Sequence, residues 1–397
     1  MKSESRPLLQ LGRSPLIWSA VLAVFLQLPS LADVAKYESG RQYLGPLLIA
    51  GTFVGLLVVF WLLPRLGRLR AALSSPAVTV LLLLGIAAAA ELLYRRELRR
   101  IAAGVGSTAA PAMSKTVEAL LHGQGLYSVH LLGGAPVSPG PGWLLINAPF
   151  TWAHVYALMV PAWLALTAFV LRRSYASGLQ VNIGLALLCC SPAFFRLLGE
   201  GHDIIALSCA VVLMIVWSDR WVDSDPSALL CGLAVGVLCT ARIIYVPLAL
   251  LYAVLLWTRS PRRGVIVGAV GVLVASGLFY VFSLGVHPYP PAHLFGRGHQ
   301  RQPLGMLLVD VIVMLGIGVA VLRGVSRQAV SWFVGFAAIF STAHLLIGLG
   351  ELASSNYVLK TWEGANYVFA GAIPALVAVF ALQSEEEATA VNTARSS

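Results

Sequence analysis

Apolar runs of roughly 18 to 22 residues, each long enough to cross a bilayer, recur along this 397-residue chain almost from end to end. One soluble core cannot bury so many of them on every side. Hydrophobic residues make up 58% of the chain and charged ones only 11%, whereas soluble domains carry about a quarter charged. The sequence is therefore that of an all-α, multi-spanning integral membrane protein. Soluble-enzyme, collagen-like, disordered and disulfide-rich classes are excluded.

Hydropathy places spans near 15–32, 45–63, 76–94, 151–171, 179–198, 203–217, 227–241, 243–257, 264–285, 304–322, 329–348 and 365–382, about twelve helices in one membrane domain, 1–397. The stretch 227–257 is too long for one helix and carries Arg242 in its middle, so it is read as two short helices meeting near the outer surface. Three spans fill 1–94, a large external loop with interfacial helices fills 95–150, and a helical bundle fills 151–384. The segment 385–397, opening with Glu385-Glu386-Glu387, reads as a disordered, solvated cytoplasmic tail.

The net charge of +10 is explained by short loops rather than by nucleic acid. With both termini inside, Lys2, Arg6 and Arg13, then Arg65, Arg68 and Arg70, Arg172 and Arg173, Arg259, Arg262 and Arg263, and Arg323 and Arg327 all fall on the cytoplasmic side. The exception is Arg95-Arg96-Glu97-Leu98-Arg99-Arg100, basic yet external, which is expected on the bilayer surface with its arginines at lipid phosphates. The first span also has the outline of a signal peptide, with Ser30-Leu31-Ala32 before Asp33, but is expected to be retained. Cys189, Cys190, Cys209, Cys231 and Cys239 lie within apolar runs as small hydrophobes, with no disulfide or metal spacing.

Segment 95–150 holds most of the unusual chemistry, as loops of this length commonly do. Ser114 to His122 reads as a short amphipathic helix ending at Gly123. Ser138-Pro139-Gly140-Pro141-Gly142-Trp143 reads as a rigid, non-helical turn. Leu144 to Phe150 is apolar but too short to span, and is expected in the interface or re-entrant, with Trp143 and Trp152 at headgroup depth.

The order of Leu120-Leu121-His122-Gly123-Gln124-Gly125-Leu126-Tyr127, a proline-rich turn and Ala148-Pro149-Phe150 resembles the external loop of C-type (GT-C) membrane glycosyltransferases, nearest to the family 87 polyprenol-phosphate-dependent mannosyltransferases. The Gly199-Glu200-Gly201-His202-Asp203 turn is similar to the family's Gly-His or Gly-Gln turn. Gly232-Leu233-Ala234-Val235-Gly236 with Thr240-Ala241-Arg242 and Pro247 is similar to its glycine-rich helix. The likeness covers roughly 95–300. It implies a GT-C-like fold and transfer of a sugar, mannose in the family, from a polyprenyl-phosphate donor to a lipid or glycan acceptor at the outer face of a bacterial inner membrane. Expected partners are that donor, that acceptor and membrane lipids, not nucleic acid; protein partners are left open. One departure stands out. The family's acidic residue, about eleven positions before the Leu-Leu pair, is replaced here by Ala109. Either the base has moved or the chain is not a catalyst of that kind.

Such transfer needs a carboxylate to take the acceptor's proton and a cation, arginine or a divalent metal, for the departing phosphate. Glu200 and Asp203 are the leading candidate bases, with Glu118 next. An acid at Asp203 also suits a helix N-cap, and Glu97 suits pairing with neighbouring arginines. Arg297, His299 and Arg301, near His287 and His293, are candidate phosphate ligands, as is Arg242, which alternatively forms an ion pair with Glu200 or Asp203. His202, Tyr127 and Asn147 are expected to line the site. Glu91, Asp310 and His344 read first as structural. No zinc or Walker motif occurs, so no cofactor is assigned beyond room for a divalent cation. Two other classes fit the polar residues: a transporter or lipid flippase, and a catalytically silent, lipid-binding relative of the GT-C fold.

Overall fold

A computed structural model describes residues 15–37, 41, 43–62, 65, 67–132, 137–174, 176–242, 245, 248–257, 259–283 and 329–381. Among the described residues the regular structure is helical throughout, with no strand. In chain order the helices are α1 (Pro15–Gln27), α2 (Ser30–Tyr37), α3 (Leu44–Leu62), α4 (Gly67–Leu73), α5 (Pro76–Ala102), α6 (Ala109–Leu121), α7 (Pro141–Trp152) and α8 (Met159–Ser174). There follow α9 (Gly178–Cys189), α10 (Pro192–Gly199), α11 (Ile204–Arg220), α12 (Asp225–Cys239), α13 (Leu248–Trp257), α14 (Pro261–Ser283), α15 (Ala329–Ser354) and α16 (Ala365–Ala370), with helix again over 372–381.

Four of these segments, Leu44–Leu62, Pro76–Ala102, Tyr156–Ser174 and Pro261–Phe282, are long and apolar enough to cross a membrane. The number rises to six if the bent pairs α1–α2 (42°) and α9–α10 (78°) each count as one span. Their outer faces carry bare apolar side chains, including Leu81 at 67%, Leu92 at 72% and Leu273 at 71% exposure. Water would penalise such a surface at about 25 cal/mol per Å², whereas lipid does not. The helices are those of a membrane-embedded protein. Twelve full spans are not seen among the described residues. The apolar stretches Asp225–Cys239, Ile339–Ser354 and Ala365–Ala381 are shorter, and the expected span 304–322 lies outside the described residues.

By contacts the chain divides into two compact units, each discontinuous in sequence. One comprises Met1–Ile86, Ala165–Arg196 and Gln302–Ser397; the other comprises Ala87–Leu164 and Leu197–Arg301.

In the first unit the breaks between helices are held by polar side chains. Gln27 Nε2 donates to Cys190 O (3.0 Å) and Ser191 Oγ to Leu26 O (2.7 Å), which satisfies backbone exposed by the bends after α1 and α9. Cys190, at the second bend, is exposed rather than buried. Arg172 donates to Thr79 Oγ1 (2.6 Å) and Ser74 O (3.1 Å), and Asn182 donates to Leu73 O (2.6 Å), closing the α4–α5 turn. Arg196 pairs with Asp33 and donates to Asn366 Oδ1 (2.7 Å). His344 is buried against Phe340, with Nδ1 2.8 Å from the Phe340 carbonyl.

The second unit carries the segment expected to be the large external loop, and corrects three readings of it. Residues 95–102 continue α5 instead of opening the loop, because this Arg-, Glu- and Leu-rich stretch favours helix until Gly104, which takes φ +77°. Helix α6 begins at Ala109, five residues before Ser114, and ends at Gly123 (φ +70°) as the sequence implies. The rigid turn stops at Gly140, and Pro141 is the first residue of α7, a position proline favours. Trp143 is accordingly fully buried; only Trp152, 74% exposed, remains available to the membrane interface.

The split at Arg242 occurs between α12 and α13. Helices α12, α13 and α14 approach closely through small residues. A Cβ on Gly236 would lie 2.6 Å from Val274 Cβ, and one on Gly268 would lie 2.8 Å from Ala253 Cβ.

Candidate functional site

The second unit gathers its polar groups around the turn from Gly199 to Asp203. Helix α10 closes with two backbone bonds, Gly201 N–H to Leu198 O (3.2 Å) and His202 N–H to Leu197 O (2.9 Å), with Gly201 at φ +64°. This is a Schellman ending, which requires glycine or a tolerant residue at Gly201 but nothing acidic at Glu200 before it. Gly201 is also held sterically, since a Cβ there would meet Tyr156 Cε1 at 2.8 Å and Ala110 Cβ at 2.9 Å. The Tyr156 hydroxyl donates to Gly201 O (2.9 Å), and the Tyr94 ring stacks obliquely on Tyr156 at 5.7 Å. Glu200 and His202 are thereby left half-buried at the edge of this packing.

Asp203 is 2% exposed and does not cap α11 with its side chain. Its carboxylate instead accepts the Trp143 indole N–H at 2.9 Å and pairs with Arg242. His202 Nδ1 lies 3.4 Å from the same carboxylate and 3.3 Å from the Ile204 amide N–H. Burial pushes the Asp203 carboxyl up, but the Arg242 guanidinium and His202 outweigh it and hold the group well below the usual carboxylate range. Asp203 thus stays ionised, and Arg242, half-buried between α12 and α13, has the counter-ion its position demands.

The backbone is shaped to permit this contact. A Cβ on Gly140 would fall 1.8 Å from Thr240 O, and one on Gly142 would fall 2.8 Å from Thr240 Oγ1. Two glycines therefore let the start of α7 lie against the Thr240-Ala241-Arg242 turn, where Gly140 N–H donates to Ala241 O (3.3 Å) and Trp143 N–H to Thr240 Oγ1 (3.2 Å). Asn147 is buried, donates to Trp143 O (2.9 Å) and accepts the Trp163 indole N–H (2.9 Å), so it fixes Trp143 from behind.

Of the other residues singled out from the sequence, Glu118 is exposed on α6, and Tyr94 lies within electrostatic reach of it and of Glu91. Tyr127 lies in a short 3₁₀ turn, Leu126–Ser128. Arg297, His299 and Arg301, with His287, His293 and Asp310, lie outside the described residues. Glu97 does pair with Arg100 (2.9 Å), and it also accepts the Ser107 amide N–H (2.6 Å), which fixes the loop leading into α6. Glu91 pairs with Arg95 at 2.6 Å. Among the described residues no group of three His, Cys, Asp or Glu is placed to hold a metal ion.

Sequence reasoning missed the Trp143–Asp203 bond and the Asp33–Arg196 pair. The signal for the first was present: an indole N–H carried into a Gly-Pro-Gly-packed interior requires an acceptor. The second joins residues far apart in the chain and leaves no periodic trace. Comparison with protein-family models, with curated proteins and with solved structures finds no match to this chain.

Proposed function

We propose that this chain is a membrane glycosyltransferase that moves a sugar, mannose by the resemblance, from a polyprenyl-phosphate donor to a lipid or glycan acceptor. The reaction takes place at the membrane face bearing the Glu200–Asp203 turn, which is the outer face of the inner membrane under the positive-inside reading. The observation that carries this reading is Glu200. It is half-buried at a helix end whose geometry asks for no acid, three residues from a buried carboxylate–arginine pair. In the proposed mechanism Glu200 accepts the proton of the acceptor hydroxyl, with Glu118 as the alternative base. Asp203 is a poor proton acceptor in this setting and acts as a positioning residue that aims Arg242 toward the donor phosphate. The sequence adds Arg297, His299 and Arg301, outside the described residues, as phosphate ligands and Tyr127 as a lining residue; His202 lines the site, and Asn147 acts through Trp143, which it holds in place.

A silent, lipid-binding relative is favoured by one observation: Asp203 and Arg242 are already engaged with each other, while Ala109 occupies the position of the family's acid. The two readings separate in an assay of labelled sugar transfer from a panel of polyprenyl-phosphate donors to membrane lipids by the purified protein. Transfer by the wild type, lost in a folded Glu200→Gln variant that still binds donor, supports the enzyme. Donor binding without transfer by folded wild-type protein supports the silent form.

A further inference from the structure

Helix α5 is continuous from Pro76 to Ala102. Its apolar part, Pro76 to Leu93, is about 27 Å long at 1.5 Å per residue. That nearly matches a hydrocarbon core of about 30 Å, so the arginines just past Tyr94 stand at headgroup level. Within the second unit the helix has two distinct sides. Ala90 and Glu97 are buried, and Leu93 and Tyr94 approach Gly199 and Gly201. On the opposite side Ala88, Leu92, Arg95, Arg96 and Arg99 are exposed in one stripe, apolar below and cationic above.

The charges of this stripe are unequally compensated. Arg95 is paired with Glu91 and Arg100 with Glu97, whereas Arg96 and Arg99, one turn apart, face no carboxylate at ion-pair distance among the described residues. The helix C-terminus favours cations in its last turn, which accounts for Arg99 and Arg100 but not for Arg96. Positive-inside sorting does not account for them either, because the other basic cluster of this unit, with Arg259 and Arg263 bonded to Asp219 O and Val222 O, sits at the far end of α11 from the Asp203 turn.

We propose that this stripe binds one anionic glycerophospholipid, its phosphate held by Arg96 and Arg99 and its acyl chain laid on Leu92 and Ala88. Two guanidinium forks one helical turn apart suit a phosphodiester, and the apolar residues directly below receive the chain that enters the bilayer. The face points away from the Glu200–Asp203 turn, so the site is independent of the proposed transfer and needs no donor lipid.

The test is lipid retention by the purified full-length protein, read by native mass spectrometry after equilibration with phosphatidylglycerol, phosphatidylcholine or a polyprenyl phosphate. Wild type should retain phosphatidylglycerol selectively, and Arg96→Gln/Arg99→Gln should weaken that retention about thirtyfold. Arg262→Gln, an exposed arginine at the other end, should leave it unchanged. Equal retention of the two glycerophospholipids, no loss in the double variant, an equal loss in Arg262→Gln, or retention of polyprenyl phosphate in place of phosphatidylglycerol would each overturn the proposal. A photoreactive phosphatidylglycerol on the unaltered chain gives an independent reading. Crosslinks within residues 88–99 support the site, and crosslinks confined elsewhere overturn it.

Discussion

Asp203 and Arg242 show how a single buried pair governs the residues around it. Removing either partner leaves an uncompensated charge inside the second unit, which costs about 3–5 kcal/mol. Asp203→Asn and Arg242→Met should each lower the thermal midpoint of the detergent-solubilised protein strongly, and the double variant should recover much of the loss; additive losses would refute the coupling. The folded pKa of Asp203 is depressed, so its stabilisation is complete above the unfolded value of about 3.9 and fades only as pH falls through the lower folded value. The deficit of Asp203→Asn should therefore be equal at about pH 5 and about pH 8. At this scale the sequence was partly legible. An arginine between two short apolar helices announced a need for a counter-ion, and the turn with Glu200 and Asp203 supplied the candidates. Which acid answered was decided by Gly140 and Gly142, whose missing side chains bring Trp143 against the Thr240 turn and its indole onto Asp203.

At the scale of the helix, endings matter more than propensities. Helices α5, α6 and α10 all stop at a glycine of positive φ, a pattern readable at Gly123 from the sequence. Helix α7 stops in the same way at His154, where φ is +56° and Val155 N–H donates to Phe150 O at 2.9 Å. A side chain in that region carries a strain that glycine lacks, so His154→Gly should raise stability by about 1 kcal/mol, measured as an upward shift of the unfolding midpoint. A lowered midpoint would mean that the imidazole makes contacts worth more than the strain. Gly140→Ala should act oppositely, costing about 2 kcal/mol or more because its Cβ would collide with Thr240 O. The sequence reads the basic run after Tyr94 as the opening of the external loop, because charge there outweighs periodicity. In the structure the buried face of α5 simply continues through Glu97, which is satisfied by Arg100 and the Ser107 amide, and that local solution has no signature in hydropathy.

The whole molecule was legible as a membrane protein because its apolar runs leave no other use for their surface, whereas span count was not. Hydropathy cannot distinguish a straight span from two helices bent by 78° at Cys190 and Ser191, nor from short helices packed through Gly232, Gly236 and Gly268. The positive-inside reading predicts that a cysteine introduced at exposed Ser128 reacts with a membrane-impermeant maleimide in spheroplasts, while one at exposed Ser224 does so only after permeabilisation. The reverse pattern would invert the molecule and place the Glu200–Asp203 turn in the cytoplasm. Whether Glu200 serves as the base of a lipid-linked sugar transfer is decided by the turnover and donor binding of Glu200→Gln beside wild type in the same proteoliposomes. Wild type should transfer sugar, the variant should lose about a hundredfold or more of that turnover, and both should bind donor. Undiminished turnover in Glu200→Gln, or no transfer by folded wild-type protein from any polyprenyl-phosphate donor, would contradict that role.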